Sequence, residues 1–546
     1  MESIRGKFTT LVILTIIVFL ATGLRFAFLD RVPPSLSWDE VAIGYNAWSI
    51  LKTGRDEYGQ KFPLLFRSFD DWKLPGMVYS VALSEKIFGL NEWGVRFPSA
   101  FLGTLTVLVF YFLVQELFKN SKSATFYSLF ATLLLSINPW HINFSRQCFE
   151  TNGSLFFVIL GIFFLLKALK QPYFLLLSAV SFVVSIYFYY SARVVVPLLL
   201  LAFVIIWPRF VRKNLKTVIL ASCLGFVVLF PLLPHIFSPG GFSRISQVSI
   251  LQETGFLKRK ASFAKMILYH QNAWWARIFY NRRITLLWAI FTNYVKNFSL
   301  EFIFINGTDS FGLLYPWELP FFFLGIFALL LQKERWKWFI LSWLIFAPLP
   351  AALTRNQPNP LRTLLAAPVF VFCSSLGLIW IWEKLKKNQK RIFLLFFLPL
   401  VVLFFIHFLI LYFDYLPKVK SLHFGDGYKQ LAMFLKGKEE KYDRIWVTGD
   451  YWRPYIHLLF HLKYSPSLYQ EKGNKDGFSV FRFGKADWDR EGIDLGSVNL
   501  SDLVEGKTLF ILSKEEYQKQ RGENRFSWEE PIDGQYIKGV FWAVEL

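Results

Sequence analysis

About eleven apolar runs, each long enough or nearly so to cross the hydrocarbon core of a bilayer, constrain the fold of this chain more than any other feature. They fall near residues 8–28, 94–117, 123–140, 153–169, 173–190, 193–208, 216–236, 317–332, 337–353, 362–382 and 392–413. Backbone inside a bilayer must satisfy its own hydrogen bonds, so runs of this kind are helices. The charges between them supply an independent test. Arg5 and Lys7, Lys119 and Lys122, Lys167 and Lys170, Arg209 to Lys216, Lys333 to Lys337, and Lys384 to Arg391 occupy alternate loops, as basic cytoplasmic loops do. Met77–Phe88 is largely apolar too, but about a dozen residues is short for a span. Counting it would invert every later loop, so it reads as a surface helix.

The same topology accounts for the composition. The chain is 54% hydrophobic and 19% aromatic, too apolar for a soluble chain of 546 residues, and carries a formal charge of +21. That surplus lies mostly in loops on one side, which removes nucleic acid as a partner. Cys148, Cys223 and Cys373 are widely spaced and imply neither a disulfide framework nor a zinc cluster. No Walker, Rossmann or GxSxG motif is present, so nothing points to ATP or NAD use or to a serine hydrolase.

The side opposite the basic loops holds the segment Leu29 to Trp93, the long loop Phe237 to Pro316, three shorter turns and the C-terminus. The long loop carries Lys258-Arg259-Lys260 and Trp274-Trp275, which suit lipid headgroups. After about Tyr415 the composition turns soluble. The expected organisation is a membrane domain over 1–415 and a small extracytoplasmic α/β domain over 416–546. Within the latter, Arg444–Thr448, Thr508–Leu512 and Val540–Val544 read as strands, and Gly427–Leu435 and Trp452–Leu462 as helices.

In the first outer loop, Ser37 and Glu40 have capping-box spacing, and Val41, Tyr45, Trp48 and Leu51 share one face of the helix that follows. That helix suits the membrane surface. Glu40 thereby has a structural task; Asp39 has none and is the first candidate for chemistry. Five basic residues on the same side require explanation: Lys73, Arg96, Arg146, Arg193 and Arg362. A ring of cations facing the loop acids suits a phosphate or pyrophosphate headgroup, although any one arginine also fits snorkelling or an ion pair. Glu150 reads either as a helix-start acid or as a second catalytic acid. Asp70 and Asp71 could hold a divalent metal or pair with Lys73. His457 and His461 stand at i, i+4 without the Glu of H-E-x-x-H and read as core or surface histidines, and Asp487-Trp488-Asp489 is a short D-x-D pattern. Such a set can run glycosyl transfer: an aspartate takes the proton of an attacking hydroxyl, and fixed cations receive the charge on a departing lipid phosphate.

Trp38-Asp39-Glu40, Lys73-Leu74-Pro75, Leu90 to Ala100, Phe144-Ser145-Arg146, Tyr190 to Arg193 and Asn359 to Arg362 together resemble the multi-span glycosyltransferases related to protein O-mannosyltransferases and the lipid A aminoarabinose transferase, glycosyltransferase family 39-like. The likeness covers roughly the first 400 residues. It implies a GT-C fold and an inverting transfer of a hexose or pentose from a polyprenyl-phosphate sugar to a lipid, glycan or protein acceptor on the extracytoplasmic side. It implies Asp39, with Glu40 beside it, as the catalytic acid pair. It implies Lys73, Arg146, Arg193 and Arg362 as donor-phosphate ligands, with Glu150 a possible second acid. Lys73-Leu74-Pro75 departs from the Lys-Pro-Pro of many relatives. The resemblance fixes no cofactor, and a divalent metal stays open. An oligosaccharide transferase using a lipid pyrophosphate and a lipid-linked sugar transporter or flippase are the alternatives. The expected location is a plasma membrane, of a bacterium, as a multi-pass protein.

Overall fold

The computed structural model describes residues 2–546 except 70, 239, 242–249, 251–262, 264, 272, 309, 356, 452 and 486–492. Lys258-Arg259-Lys260, Asp70 and the D-x-D pattern at Asp487 therefore lie outside the described residues.

Among the described residues six helices are long and apolar enough to cross a membrane: Gly6–Phe26, Glu92–Leu117, Glu150–Ala168, Leu215–Ile236, Pro360–Lys384 and Lys387–Val419. Five shorter apolar helices, Ala124–Ile137, Phe174–Phe188, Ala192–Ile206, Pro316–Leu331 and Trp336–Ala352, complete the set, and each of the eleven coincides with one expected run. The segment Pro360–Lys384 is at the centre, buried over most of its length, whereas Gly6–Phe26 and Lys387–Val419 expose nearly all of theirs. The central helix meets Leu319–Leu331 backbone to backbone. A Cβ on Gly377 would fall 1.9 Å from the Phe321 carbonyl oxygen, and one on Gly325 would fall 1.7 Å from that of Cys373. Small residues at a crossing are how helices associate where lipid removes the hydrophobic drive between them.

Helix α1 (Glu2–Phe26) leads through Ala27–Ser37 into α2 (Trp38–Thr53), then to a hairpin of β1 (Phe66–Ser68) and β2 (Asp71–Lys73), α3 (Pro75–Phe88) and α4 (Glu92–Leu117). The expected surface helix Met77–Phe88 is α3, with Met77, Val78, Val81 and Ala82 inward and Leu83 and Ile87 outward. Its first residue is Pro75, whose missing amide costs nothing at N1. Beyond α5 (Ala124–Ile137), α6 (Pro139–Ser145) and α7 (Glu150–Ala168) comes α8 (Phe174–Phe188), followed by α9 (Ala192–Ile206). The Phe188 ring wedges between Gly76 of α3 and Gly153 of α7, at positions where a Cβ would lie 2.6 and 2.3 Å from it. That contact fixes the start of α3 against the start of α7.

The C-terminal segment builds one six-stranded sheet in the order β4-β5-β3-β6-β8-β7. β3 (Arg444–Val447), β5 (Phe481–Phe483) and β6 (Thr508–Ser513) run parallel; β4 (Gly477–Phe478), β7 (Trp528–Ile532) and β8 (Phe541–Glu545) join antiparallel. Its helix Pro454–His461 packs on α2, with Phe460 2.7 Å from the position of a Cβ on Gly44. One hydrophobic core is shared: Val41, Tyr45, Val78 and Val95 of the membrane segment lie in the same cluster as Ile445, Ile456, Leu509 and Phe541.

Candidate functional site

Asp39 enters the site because it is the second residue of α2. Ser37 precedes the helix in extended conformation, and its amide donates to Glu40 Oε2 at 3.0 Å, the half of the capping box that the S-x-x-E spacing predicts. Glu40 is fully buried, and the same carboxylate carries a second, larger load. Arg96 of α4 donates to it from Nε at 2.9 Å and from Nη2 at 3.1 Å, and the Cys148 amide donates to Oε1 at 3.0 Å. The rest of the Arg96 guanidinium reaches the carbonyls of Leu29 at 3.0 Å, Pro33 at 2.9 Å and Ser35. Glu40 and Arg96 thus lock the turn between α1 and α2, and Glu40 is turned away from solvent. Asp39, one residue earlier, points the other way, with its side chain about a third exposed.

Lys73 ends β2 and is pinned from both sides, by the hairpin pairing Phe66↔Lys73 and by Pro75 two residues on. Its Nζ lies 2.5 Å from Asp39 Oδ1 and 3.7 Å from Glu150 Oε1. Glu150 is the first residue of α7, nearly buried, where the phenylalanine wedge holds α7 against α3. Residues 39, 73 and 150 therefore form one cluster, with the ammonium between two carboxylates. Burial, then the Glu40 and Glu150 carboxylates, hold the neighbouring Cys148 thiol well above its ordinary range, so this cysteine is an inert member of the wall.

The remaining cations divide into two kinds. Arg193, the second residue of α9, lays its guanidinium 4.4 Å from the Tyr190 ring centroid, and the Tyr190 hydroxyl donates to the Trp72 carbonyl at 2.9 Å, next to Lys73. Arg362 donates to Thr354 Oγ1 at 2.7 Å and to the Arg355 carbonyl at 2.9 Å, while Ser191 Oγ donates to the Arg362 carbonyl at 3.4 Å. These two arginines are partly exposed and tied to each other through the turn before α9. Arg146 differs. It has no exposed surface, and donates to the carbonyls of Leu24 at 2.9 Å, Ala27 at 2.7 Å, Phe28 at 3.2 Å and Val32 at 2.8 Å. Both terminal nitrogens of Arg146 are thereby engaged by carbonyls at and just after the end of α1, while its Nε is buried and has no hydrogen-bond partner among the described residues, so this geometry favours a positioning role over the expected contact with a donor phosphate. Glu40, expected beside Asp39 as a catalytic residue, is likewise committed to Arg96.

Asp71 accepts from the Trp72 amide at 2.7 Å. Among the described residues no group of three His, Cys, Asp or Glu side chains could hold a metal ion. His457 is a core residue, its ring stacked 4.1 Å from that of Tyr428. Sequence reasoning missed Arg25, which is fully buried and donates to His141 Nδ1 at 2.7 Å and to the Ser136 carbonyl at 3.1 Å. Its signal was present: an arginine at the inner edge of an otherwise uncharged span has to find a partner. A cleft of about 200 Å³ adjoins the cluster, lined by Pro33, Gln147, Phe149, Pro360, Lys420 and His423, and the His423 ring packs edge-on to Trp38 at 5.7 Å.

The bundle, the first-loop helices and the acid–cation cluster at one end define the class: this is a multi-pass membrane protein whose fold is shared with the solved GT-C structures that follow. Residues 73–237 match the family model described as dolichyl-phosphate-mannose-protein mannosyltransferase. A stretch of 151 residues is 25% identical to the putative mannosyltransferase YkcB of Bacillus subtilis (strain 168); it represents 27% of this chain and 20% of that protein, so the chain spans about a fifth of the length of this curated relative. ArnT from Cupriavidus metallidurans, bound to undecaprenyl phosphate, superposes with a TM-score of 0.56 at 12% identity over 99% of this chain and 98% of its own. AglB from Archaeoglobus fulgidus, an oligosaccharyltransferase in complex with an inhibitory peptide and a dolichol-phosphate, gives 0.51 at 15% identity over 83% of this chain and 64% of its own.

Proposed function

We propose that the chain is an inverting glycosyltransferase that moves a sugar from a polyprenyl-phosphate donor to a lipid, glycan or protein acceptor at the extracytoplasmic face of a bacterial plasma membrane. The observation that carries this reading is the Asp39–Lys73 pair at 2.5 Å, with Glu150 at 3.7 Å from the same ammonium. It joins a candidate base to a candidate phosphate ligand at one end of the bundle. Asp39 takes the proton from the acceptor hydroxyl as the oxygen attacks C1 of the donor sugar. The C1–O bond to the lipid phosphate breaks on the opposite face, and the pair of electrons stays on the phosphate. Lys73, Arg193 and Arg362 receive that charge, and a dianionic phosphate needs no proton to leave. Arg146 and Glu40 act as positioning residues that hold the α1–α2 turn.

The short basic loops, which alternate to the other end, support this face. A transport path would place ionisable groups at mid-membrane. Among the described residues the buried charges gather instead at helix ends and loops, as with Arg25, Glu40, Lys73, Arg96, Arg146, Glu150 and Glu318. The fold shared with ArnT bound to undecaprenyl phosphate supports the donor class. The proposed division is a membrane domain over 1–415 and an extracytoplasmic domain over 416–546. The test uses full-length protein in nanodiscs, wild type and Asp39→Asn, incubated with polyprenyl-phosphate sugars and scored by mass spectrometry for free polyprenyl phosphate. Release by the wild type alone is expected. Equal release by both variants would remove Asp39 from the reaction.

A further inference from the structure

Where the first outer loop meets the C-terminal domain, the chain forms a second cavity of about 330 Å³, whose lining includes none of the residues assigned to the chemical step. Its position follows from strand alternation. Arg67 pairs with Trp72, and Phe66 with Lys73, so Arg67 and Lys73 project to opposite faces of the hairpin. Arg67 lines the cavity, which therefore backs onto the cluster of Asp39 and Lys73 through one layer of chain.

The walls are aromatic and the fittings polar. Tyr58, Phe69, Tyr455 and Tyr469 supply rings; the Arg67 guanidinium stands 5.1 Å from the Tyr58 centroid, and that of Arg453 4.5 Å from Phe69. Arg453 reaches this place from a backbone at φ +56°, a strained conformation for a residue with a side chain. Glu57 is 2% exposed. Its Oε1 accepts from Asn46 Nδ2 at 3.0 Å, and its amide donates to Asn46 Oδ1 at 3.0 Å, which fixes the side chain. Its Oε2 is buried and has no hydrogen-bond partner among the described residues. Leaving such an atom unpaired is costly, so it marks a place where a ligand atom fits. Burial pushes this carboxyl up to about 8, which makes it at neutral pH a hydroxyl donor as well as an acceptor. Gln470 on the same wall is held by Ser49 at 2.9 Å, Thr53 at 3.0 Å and the Asp56 carbonyl at 2.8 Å.

We propose that this cavity is a saccharide-binding pocket that holds one sugar unit of the acceptor, its apolar ring face against Tyr58 and Tyr469 and its hydroxyls on Glu57, Arg67 and Arg453. A pyranose has this pair of surfaces, and a pocket of mostly aromatic lining with a few fixed polar groups is the complement. The acceptor role rests on the glycosyl-transfer reading; the binding of a sugar does not.

The experiment is saturation-transfer NMR on the full chain in nanodiscs, with no donor present, using methyl glycosides of glucose, mannose, galactose, N-acetylglucosamine and glucuronic acid. At least one should receive saturation. The signal should fall about tenfold, the loss of one good contact, in Tyr58→Ala, Arg67→Ala and Glu57→Gln, and persist in Asp39→Asn. Tyr58 and Arg67 are exposed along one edge, so these two variants keep the fold, which the thermal transition verifies. No transfer to any glycoside, or equal transfer in wild type, Tyr58→Ala and Arg67→Ala, overturns the pocket. Glycoside binding without donor turnover in the companion assay would sustain the pocket and overturn the transfer reading; turnover without glycoside binding would do the reverse.

Discussion

Glu40→Gln should cripple the protein through its fold, whereas Asp39→Asn should cripple it through its chemistry. Glu40 faces donors from Arg96 Nε and Nη2 and the amides of Ser37 and Cys148. A glutamine offers one oxygen and one NH₂ in that place, so at least one contact becomes donor against donor. The Arg96 charge also loses its counter-ion with both side chains at zero exposure. Removing one partner of a buried ion pair costs about 3–5 kcal/mol. For a chain of this size that is a melting shift on the order of 3–4 °C. Asp39 is partly exposed, and its pair with Lys73 is worth far less to folding. Scanning fluorimetry in detergent and donor turnover in nanodiscs would be read on the same preparations. The expected pattern is a drop of this size in the transition with residual turnover for Glu40→Gln, and an unchanged transition with turnover down by a factor of ~10²–10⁴ for Asp39→Asn. The double variant Glu40→Gln, Arg96→Met should recover part of the lost stability, because it removes the uncompensated charge rather than adding to the damage. A Glu40→Gln protein that melts with the wild type but turns over nothing would refute the assignment and put Glu40 in the reaction.

Arg146→Ala should lower the melting transition by as much as Glu40→Gln, since four carbonyls lose their donor, yet leave the affinity of the folded fraction for polyprenyl phosphate unchanged; native mass spectrometry of the complex would read the second part. Lys73→Ala and Arg362→Ala should show the opposite pattern, about tenfold weaker or worse binding of polyprenyl phosphate with little change in melting, and unchanged binding in both would remove them from the phosphate site. Burial holds His461 down at about 4, next to the Glu92–Lys429 pair, and holds its neighbour His457 well below its usual range. Both are neutral when folded and protonate near 6.5 when unfolded, so their stabilisation is complete above pH 6.5 and is lost as pH falls toward 4. For His461 alone this is about 2 kcal/mol by pH 5. Hydrogen exchange at pH 7.5 and 5 should show the helix Pro454–His461 opening first, and equal protection at both values would refute it.

The bundle was legible because a bilayer leaves the sequence little freedom. Length, hydropathy and the alternation of basic loops each mark the same eleven segments, and the agreement of loop charges keeps α3 out of the count. In the C-terminal sheet the strands that could be read are the buried ones, β3, β6 and β8. β5 is three residues long, and β7 is an edge strand that carries Glu529, Glu530 and Pro531, a pattern suited to blocking further pairing and close to that of a loop. In the site, the helix-start position of Asp39 and the Lys-x-Pro of Lys73 were legible as local geometry. Their meeting across 34 residues of chain was not, because it depends on the hairpin, which has no strong pattern of its own.

The arginines show why the rest could not be read. A guanidinium that caps the carbonyls at a helix end and one that grips a phosphate do the same thing chemically: each presents planar donors to anionic or partly anionic oxygen at a membrane boundary. Both kinds therefore occur at the outer ends of spans, and position along the chain does not separate them. What separates them is how many backbone oxygens stand within reach. Arg96 gives its donors to Glu40 and three carbonyls, and Arg146 gives both terminal nitrogens to four, so the forks of both are occupied by the protein itself. Arg362, by contrast, is partly exposed and donates to the Arg355 carbonyl and the Thr354 hydroxyl. The cation that remains with Arg193 and Arg362 is Lys73, and it already stands between two carboxylates. A lysine makes point-charge contacts that re-form at little geometric cost, unlike the fixed fork of arginine. In the proposed reaction an arriving lipid phosphate would therefore draw Lys73 off Asp39, and the same movement would release the Asp39 oxygen for the hydroxyl to be deprotonated. The pairing seen between residues 39 and 73 would then keep the base occupied until a donor is bound, which ties proton abstraction to the presence of the leaving group.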